Sequence, residues 1–191
     1  MIVTKTDILE GMEKYARLVR KGAIFVHPTD TIHGLGCDAT NDAAVQQIRR
    51  VKKRENQPFS VIAPSKFWVL KNCELPDYAK EWFDKLPGPY TLILKLKNKD
   101  AISKYVNPKD ETLGVRIPDN WFASFVSQVG VPIITTSANV QGEEYIDDLE
   151  ELHPDIRNNS QFMIYDPSNR GTPSDIVFLT SPDVRIIKRG K

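Results

Sequence analysis

Three polar segments carry the side chains of this sequence that are best suited to chemistry. Two of them, HPTDT at 27–31 and TTSAN at 135–139, follow apolar runs typical of buried strands. The third, GTPSD at 171–175, precedes another strand-forming run. Ligands of open α/β sheets bind beyond the carboxyl ends of strands, and loop hydroxyls and N–H groups bind phosphate well. Turn formation alone explains each segment taken singly, because these residue types also satisfy the loop backbone.

A basic run at 49–54 contains five cations. One interpretation is a solvated helix end, where cations complement the helix dipole, and another is an RNA-binding patch. A sharper interpretation places Lys52 and Arg54 in a turn above the sheet, since residues two apart do not share a helical face. An arginine in that position can bind a phosphate through two parallel hydrogen bonds.

Arg116 lies between apolar neighbours in LGVRIP at 113–118. It either occupies the solvated face of an edge strand or binds a carboxylate or phosphate in a cavity, because a buried arginine needs a partner. The histidines His27, His33 and His153 lack the spacing of metal ligands. His33 is a candidate general base only by the usual pKa of histidine, and a structural role explains it more simply.

Several classes of protein are excluded by absent motifs and by composition. The sequence has no phosphate-binding loop, dinucleotide fingerprint, zinc-protease motif or nucleophile elbow. Its 191 residues suit one domain, and 40% hydrophobic with 27% charged residues is ordinary for a globular protein. A net charge of +1 gives no global attraction to nucleic acid or membrane. Cys37 and Cys73 are too few for a disulfide framework, so we expect free thiols.

The elements that must position these residues alternate between helix and strand over two thirds of the chain. A first helix is predicted from Thr6 or Asp7 to Gly22, a loop at 28–36, and a helix after Asn41 or Asp42. Predicted strands lie at 23–27, 59–63, 90–97, 113–118, 131–139, 161–165, 174–179 and 184–190. Further helices are predicted after Ser65, at 75–88 and 119–130, and in the acidic stretch 146–157. The pattern predicts a single α/β domain over 1–191, with a twisted mixed parallel and antiparallel sheet.

These segments together resemble the YrdC family, the threonylcarbamoyl-AMP synthases. The matching stretches keep the family's order over residues 8–190 and are KGAIFVHPTDTIHGLGCDA, KKRENQPFSV, PGPYTLILK, LGVRIP, VPIITTSAN, SDIVFL and IIKRG. The resemblance implies a YrdC-like fold around a large concave cavity. It implies a nucleotidyltransferase that makes threonylcarbamoyl-AMP and pyrophosphate from L-threonine, bicarbonate and ATP. The product serves the threonylcarbamoyl modification of the tRNA adenosine next to the anticodon.

The resemblance also implies roles for individual residues. It assigns catalysis to Lys52 and Arg54, and threonine binding to Thr31, Arg116 and Thr135. It assigns nucleotide binding to Arg54, Gln57, Thr112, Ser137, Asn139, Ser174 and Lys188, with Arg189 as the other candidate for the last position. Mg²⁺ would arrive with ATP, without an assigned protein ligand.

Partners and location follow from the same resemblance. The expected partners are ATP, L-threonine, bicarbonate and tRNA, the last either directly or through a downstream threonylcarbamoyl transferase complex. A cytoplasmic protein that consists of the catalytic domain alone and does not bind membranes is expected. Two alternatives remain: a non-catalytic module that binds double-stranded RNA or tRNA, and a carbamoyl-adenylate enzyme of hydrogenase maturation.

Overall fold

Ten strands form one mixed sheet in the computed structural model, which describes residues 1–140, 142, 146, 148–167 and 171–189. The strands are β1 Ile2–Thr4, β2 Phe25–His27, β3 Gly34–Gly36, β4 Ser60–Ile62, β5 Tyr90–Lys95, β6 Thr112–Arg116, β7 Ile133–Ser137, β8 Phe162–Tyr165, β9 Asp175–Phe178 and β10 Arg185–Ile187. Their order across the sheet is β1-β8-β2-β3-β7-β4-β6-β5-β9-β10. Parallel pairs are β1·β8, β2·β8, β4·β6 and β5·β9, and the other neighbours are antiparallel. The predicted mixed α/β architecture is therefore confirmed.

Seven α-helices of the described residues pack on this sheet. They are α1 Lys5–Glu10, α2 Met12–Arg20, α3 Asp42–Lys52, α4 Lys66–Asn72, α5 Lys80–Asp84, α6 Phe122–Val129 and α7 Pro154–Asn159. Short 3₁₀ turns span Asp77–Ala79, Lys99–Ala101 and Leu149–Glu151. None of the helices in the described part of the chain combines the length and the apolar character needed to cross a bilayer.

The helix starts follow local capping chemistry. Asn41 caps α3 by accepting a hydrogen bond from the N–H of Ala44 at 3.1 Å, as one of the two predicted caps. The predicted start of the first helix at Thr6 or Asp7 is wrong, because Thr4 is the cap and forms a capping box with Asp7. That helix is also two helices, α1 and α2, which meet at Gly11.

Strands β1 and β3 were not predicted from the sequence. Each has three residues, too few for a recognisable alternation, and β3 consists of Gly34, Leu35 and Gly36 in a stretch expected to be a loop. Both are strands because of tertiary pairing: β1 pairs with the distant β8, and β3 lies between β2 and β7. The predicted acidic helix at 146–157 corresponds to a 3₁₀ turn and α7, with residue 147 outside the described residues.

The two faces of the sheet bury separate cores. One face packs Phe25, Ile62 and Ile133 with residues of α1, α2 and α6. The opposite face packs Val26 and Val61 with residues of α3, α4, α5 and α7. Cys37 and Cys73 are buried free thiols, as predicted.

Candidate anion-binding site

A cavity of about 520 Å³ lies over the half of the first face that the helices leave open. It crosses six adjacent strands through Gly34 of β3, Thr135 and Ser137 of β7, Ser60 of β4, Arg116 of β6, Thr91 of β5 and Ile176 of β9. The strand registers place these side chains on one face. The site thus extends across the sheet, whereas the sequence predicted a position beyond the strand ends.

The boundary between core and cavity is encoded by residue type along single strands. Ile133 of β7 is buried in the helix-covered core, and Thr135, two residues later on the same face, lines the cavity. On β4, which runs antiparallel to β7, Ile62 is buried and Ser60 lines the cavity. Apolar residues therefore end where the covering helices end, and hydroxyl groups begin.

His27 lies on this face next to the cavity, between β3 and the helical layer. Its ring stacks on Phe122 of α6 with centroids 4.7 Å apart, and Gly34 lies directly opposite on β3. A Cβ atom at Gly34 would overlap the imidazole ring, so glycine at this position makes room for it. Burial lowers the pKa of His27 to about 3, so the ring is neutral at ordinary pH.

Lys52 enters the site from the end of α3, which packs on the opposite face. Its side chain is buried, and its Nζ atom donates to the carbonyls of Ser137 and Asn139 and to Oδ1 of Asn139 at 3.2 Å. The ammonium group thereby joins α3 to the segment that follows β7. Lys52 thus fixes the position of predicted ligands in addition to lining the cavity.

Arg54 follows α3 in a turn, as the sequence predicted, and lines the cavity. Its guanidinium donates to Oγ1 of Thr136 at 3.1 Å and packs against the ring of Phe59. Burial lowers the pKa of Arg54, and the nearby charge of Arg189 lowers it further. These cations are therefore close enough to repel one another when the cavity holds no anion.

Arg116 is buried at the carboxyl end of β6 and holds two residues of the HPTDT segment. Its Nη2 atom donates to Oδ1 of Asp30 at 2.6 Å and to Oγ1 of Thr31 at 3.0 Å. Burial lowers the pKa of Arg116, and the charge of Asp30 opposes that shift. Arg116 therefore lies buried at a cavity, and not on the solvated face of an edge strand.

The other end of the cavity is closed by Ser174 and Arg189. The hydroxyl of Ser174 forms a hydrogen bond of 2.8 Å with that of Thr91, and the carbonyl of Ser174 accepts from Nε of Arg189 at 3.0 Å. Arg189 also donates its backbone N–H to Asp175. The carboxyl-terminal segment is thus fixed to the start of β9.

The structure brings together most of the predicted site residues. Those that line the cavity are Lys52, Arg54, Arg116, Thr135, Ser137, Asn139 and Ser174. Thr31 does not line the cavity itself, but its hydroxyl accepts a hydrogen bond from Arg116, which does. Lys188 is exposed and does not line the cavity, whereas Arg189 does.

Two further predicted ligands lie away from the lining. Thr112 is the first residue of β6, four residues before Arg116, and its hydroxyl bonds to Asp110. Gln57 lies in the turn after Arg54, where its carbonyl accepts from Arg49. Neither of these two residues lines the cavity.

Sequence reasoning assigned no role to several residues that build the site. Asp30 pairs with Arg116, Thr136 with Arg54, and Thr91 with Ser174. Phe59, the residue before β4, also lines the cavity. The HPTDT and TTSAN segments indicated the first two positions, but no local pattern indicated Thr91, which becomes adjacent to Ser174 only through the pairing of β5 with β9.

The chemistry of this cavity is that of an anion site. Four cations line it, namely Lys52, Arg54, Arg116 and Arg189, and no carboxylate does among the described residues. The part of the chain that the structure describes also contains no group of three potential metal-ligating residues. This donor set does not fit a protein-bound divalent cation, but it fits phosphate and carboxylate groups.

Comparison with known proteins identifies the class to which this fold and site belong. The family model for the Sua5, YciO and YrdC proteins, described as telomere recombination, matches residues 17–190. The chain belongs to the Sua5/YciO/YrdC family.

Single curated proteins and solved structures are also similar to most of this chain. A Methanocaldococcus jannaschii protein provisionally named threonylcarbamoyl-AMP synthase is 31% identical, over 97% of this chain and 87% of its own length. Mouse threonylcarbamoyl-AMP synthase is 32% identical over 77% of this chain and 54% of its own length, so the chain spans about half of that relative. The structure of P. abyssi Sua5 complexed with L-threonine superposes with a TM-score of 0.85 at 24% identity, over 98% of this chain and 56% of that one, which shows the shared fold.

Proposed function

We propose that this protein is an L-threonylcarbamoyladenylate synthase. The observation that carries the proposal is the cavity in which four cations face one polar surface of the sheet without a lining carboxylate among the described residues. Family membership and relatives named threonylcarbamoyl-AMP synthase support the same reaction. The substrates of that reaction are L-threonine, bicarbonate and ATP.

The proposed reaction joins two anions, which explains why cations dominate the site. Threonine and bicarbonate first give the N-carboxylated amino acid with loss of water and a proton. A carbamate oxygen then attacks the α-phosphorus of ATP, the bond from that phosphorus to the bridging oxygen breaks, and pyrophosphate leaves. Positioning and neutralisation of developing charge are sufficient for such a transfer, so no covalent nucleophile is required.

We place the threonine carboxylate against Arg116, beside Thr31 and Thr135. Arg116 lines the cavity, and its hydrogen bonds to Asp30 and Thr31 both come from Nη2, so they do not occupy the other N–H groups of the guanidinium. We place the triphosphate against Arg54, Arg189, Ser137, Asn139 and Ser174. Mg²⁺ would enter with ATP as part of the substrate, held by phosphate oxygens.

In this scheme Lys52 and Arg54 have different tasks. Arg54 extends along the cavity wall and stabilises the charge that develops during phosphoryl transfer. Lys52 is buried and holds the carbonyls of Ser137 and Asn139, so it positions that segment while its charge acts on the same cavity. The positions Gln57, Thr112 and Lys188 would need to move to contact ATP.

The basic run at 49–54 gives little support to the RNA-binding alternative. Only Arg50 and Lys53 of its five cations are exposed, while Arg49 and Lys52 are buried. A continuous basic surface would be needed for strong phosphate-backbone binding. We retain tRNA as the final acceptor of the threonylcarbamoyl group, reached directly or through a partner transferase complex.

The deciding experiment is an assay with purified protein, ATP, L-threonine and bicarbonate. We expect pyrophosphate and threonylcarbamoyl-AMP, identified by mass spectrometry, with each product dependent on all three substrates. Arg54→Ala should reduce turnover at least about tenfold while leaving the fold intact. Salt-dependent RNA binding without any adenylate would contradict the proposal and favour the non-catalytic alternative.

A further inference from the structure

Arg49 is a buried cation that has no role in the proposed reaction. It lies in the last turn of α3, is 9% exposed, and does not line the main cavity. Its guanidinium makes six hydrogen bonds to backbone carbonyls, with Nε donating to Tyr105, Nη1 to Arg54, Glu55 and Gln57, and Nη2 to Gln57 and Val106. The five N–H groups of the Arg49 guanidinium are thus directed at the backbone of two segments, 54–57 and 105–106.

The carbonyls that Arg49 binds belong mainly to the turn that carries Arg54. Helix α3 ends at Lys52, and Lys53 adopts the left-handed conformation with φ 52°. The carbonyls at a helix end and in such a turn lack intrahelical donors. Arg49 supplies donors to the carbonyls of Arg54, Glu55 and Gln57, so one planar group holds the path of the backbone from Arg54 to Gln57.

Phe59 extends this support to the side chain of Arg54. Its ring lies 4.6 Å from Cζ of Arg49 and 5.2 Å from Cζ of Arg54. The N–H of Phe59 donates to the carbonyl of Val106, which also accepts from Arg49. Arg54 is therefore held at its backbone by Arg49, and at its guanidinium by the Phe59 ring and Oγ1 of Thr136.

We propose that Arg49, acting with Phe59, is a positioning residue that fixes Arg54 for its contact with the triphosphate. The inference deepens the proposed function and rests on it. Two guanidinium groups against one ring repel each other in the free protein, and an anion bound at Arg54 relieves that repulsion. Lysine cannot replace Arg49, because an ammonium group lacks the planar fork that reaches both segments.

The test measures MgATP affinity by calorimetry in a cycle of Arg49→Lys, Arg54→Ala and the double variant. Arg49→Lys should weaken MgATP binding about tenfold, since small misplacement of a binding group is costly. In the Arg54→Ala background, Arg49→Lys should change MgATP affinity by less than about twofold, because the side chain that Arg49 positions is absent. The matched control is Arg50→Lys, the same exchange at the exposed neighbour on α3, which should leave the affinity unchanged.

Equal affinity of Arg49→Lys and wild type, or the same tenfold loss in the Arg54→Ala background, would overturn the inference. If Arg54→Ala itself leaves MgATP affinity unchanged, the inference is overturned as well. The proposed function fails only if the wild type makes no threonylcarbamoyl-AMP, so the two failures are distinguishable. Phe59→Leu provides the test if Arg49→Lys does not fold. Loss of the ring should weaken MgATP binding about threefold, which corresponds to the energy of one cation–π contact at a partly exposed site. This loss should again appear only when Arg54 is present.

Discussion

The guanidinium of Arg116 donates to Oδ1 of Asp30 at 2.6 Å, and the two side chains are only 7% and 10% exposed. The second carboxylate oxygen of Asp30 accepts from the backbone N–H of Asp119 at 3.0 Å, which fixes the carboxylate in place. Arg116 therefore has an anionic partner within the protein. The sequence argument that a buried Arg116 requires a bound anion is incomplete, because Asp30 supplies one.

We expect Arg116 to bind the threonine carboxylate in addition to Asp30 and Thr31, because its side chain also lines the cavity. Arg116→Lys should weaken L-threonine binding by about 1–3 kcal/mol, since lysine retains the charge but cannot serve Asp30, Thr31 and a ligand in one plane. ATP affinity measured without threonine should change much less. Titration calorimetry with each substrate separately checks this division.

Two controls make the result specific to the carboxylate. Threonine amide should bind poorly to wild type and equally poorly to Arg116→Lys, because it cannot form the ion pair. Arg20→Lys on the surface of α2 should bind threonine as wild type does. If threonine binding is unchanged in Arg116→Lys while ATP binding collapses, Arg116 contacts phosphate and our division of the cavity is reversed.

Lys52→Met should reduce turnover, as Arg54→Ala does, and should lower stability more than Arg54→Ala. Methionine has a similar length but leaves the carbonyls of Ser137 and Asn139 without the donor that they have in the wild type. Loss of a donor to buried polar groups costs about 1–3 kcal/mol in the free energy of unfolding. Urea unfolding should show this loss for Lys52→Met and a smaller one for Arg54→Ala. Both variants should form pyrophosphate more slowly than the wild type. Equal stabilities would show that Lys52 does not position the segment after β7.

Ser137→Ala and Ser174→Ala should both weaken ATP binding, but they should differ in stability. Each hydroxyl is predicted to bond an ionised ligand, so we expect about 1 kcal/mol of binding energy lost at each site. Ser174 is 1% exposed and already pairs with Thr91, so its loss should also lower the free energy of unfolding. Calorimetry and urea unfolding on both variants test this. Unchanged ATP affinity in both would mean that the hydroxyls serve only the local structure of their loops.

The sequence predicted the site best where neighbouring residues act together. The HPTDT and TTSAN segments, the turn with Lys52 and Arg54, and the buried Arg116 all depend on local patterns, and the structure places them around one cavity. Asp30, Thr91 and Arg49 escaped assignment because their partners lie 86, 83 and up to 57 residues away in the sequence. Strand β3 was missed for the same reason, since its glycines are held in the sheet by pairing with β2 and β7.

The buried imidazole of His27 gives a prediction for the pH dependence of stability. Burial lowers the pKa of His27 from 6.5 to about 3, so between these values the unfolded chain binds a proton that the folded protein does not. The free energy of unfolding should therefore fall as the pH drops below 6.5, by about 1.4 kcal/mol per pH unit from this group, and should not depend on it above 6.5. Urea unfolding between pH 7 and pH 5 covers the window in which most carboxylates stay ionised.

His27→Gln should remove that dependence even if it lowers stability at every pH. Glutamine can still donate to the carbonyl of Pro28, which lies 3.1 Å from Nδ1 of His27, but it does not titrate. A slope in His27→Gln equal to that of the wild type would mean that other groups cause the acid sensitivity. It would then follow that the stacking of His27 on Phe122 tolerates a protonated ring.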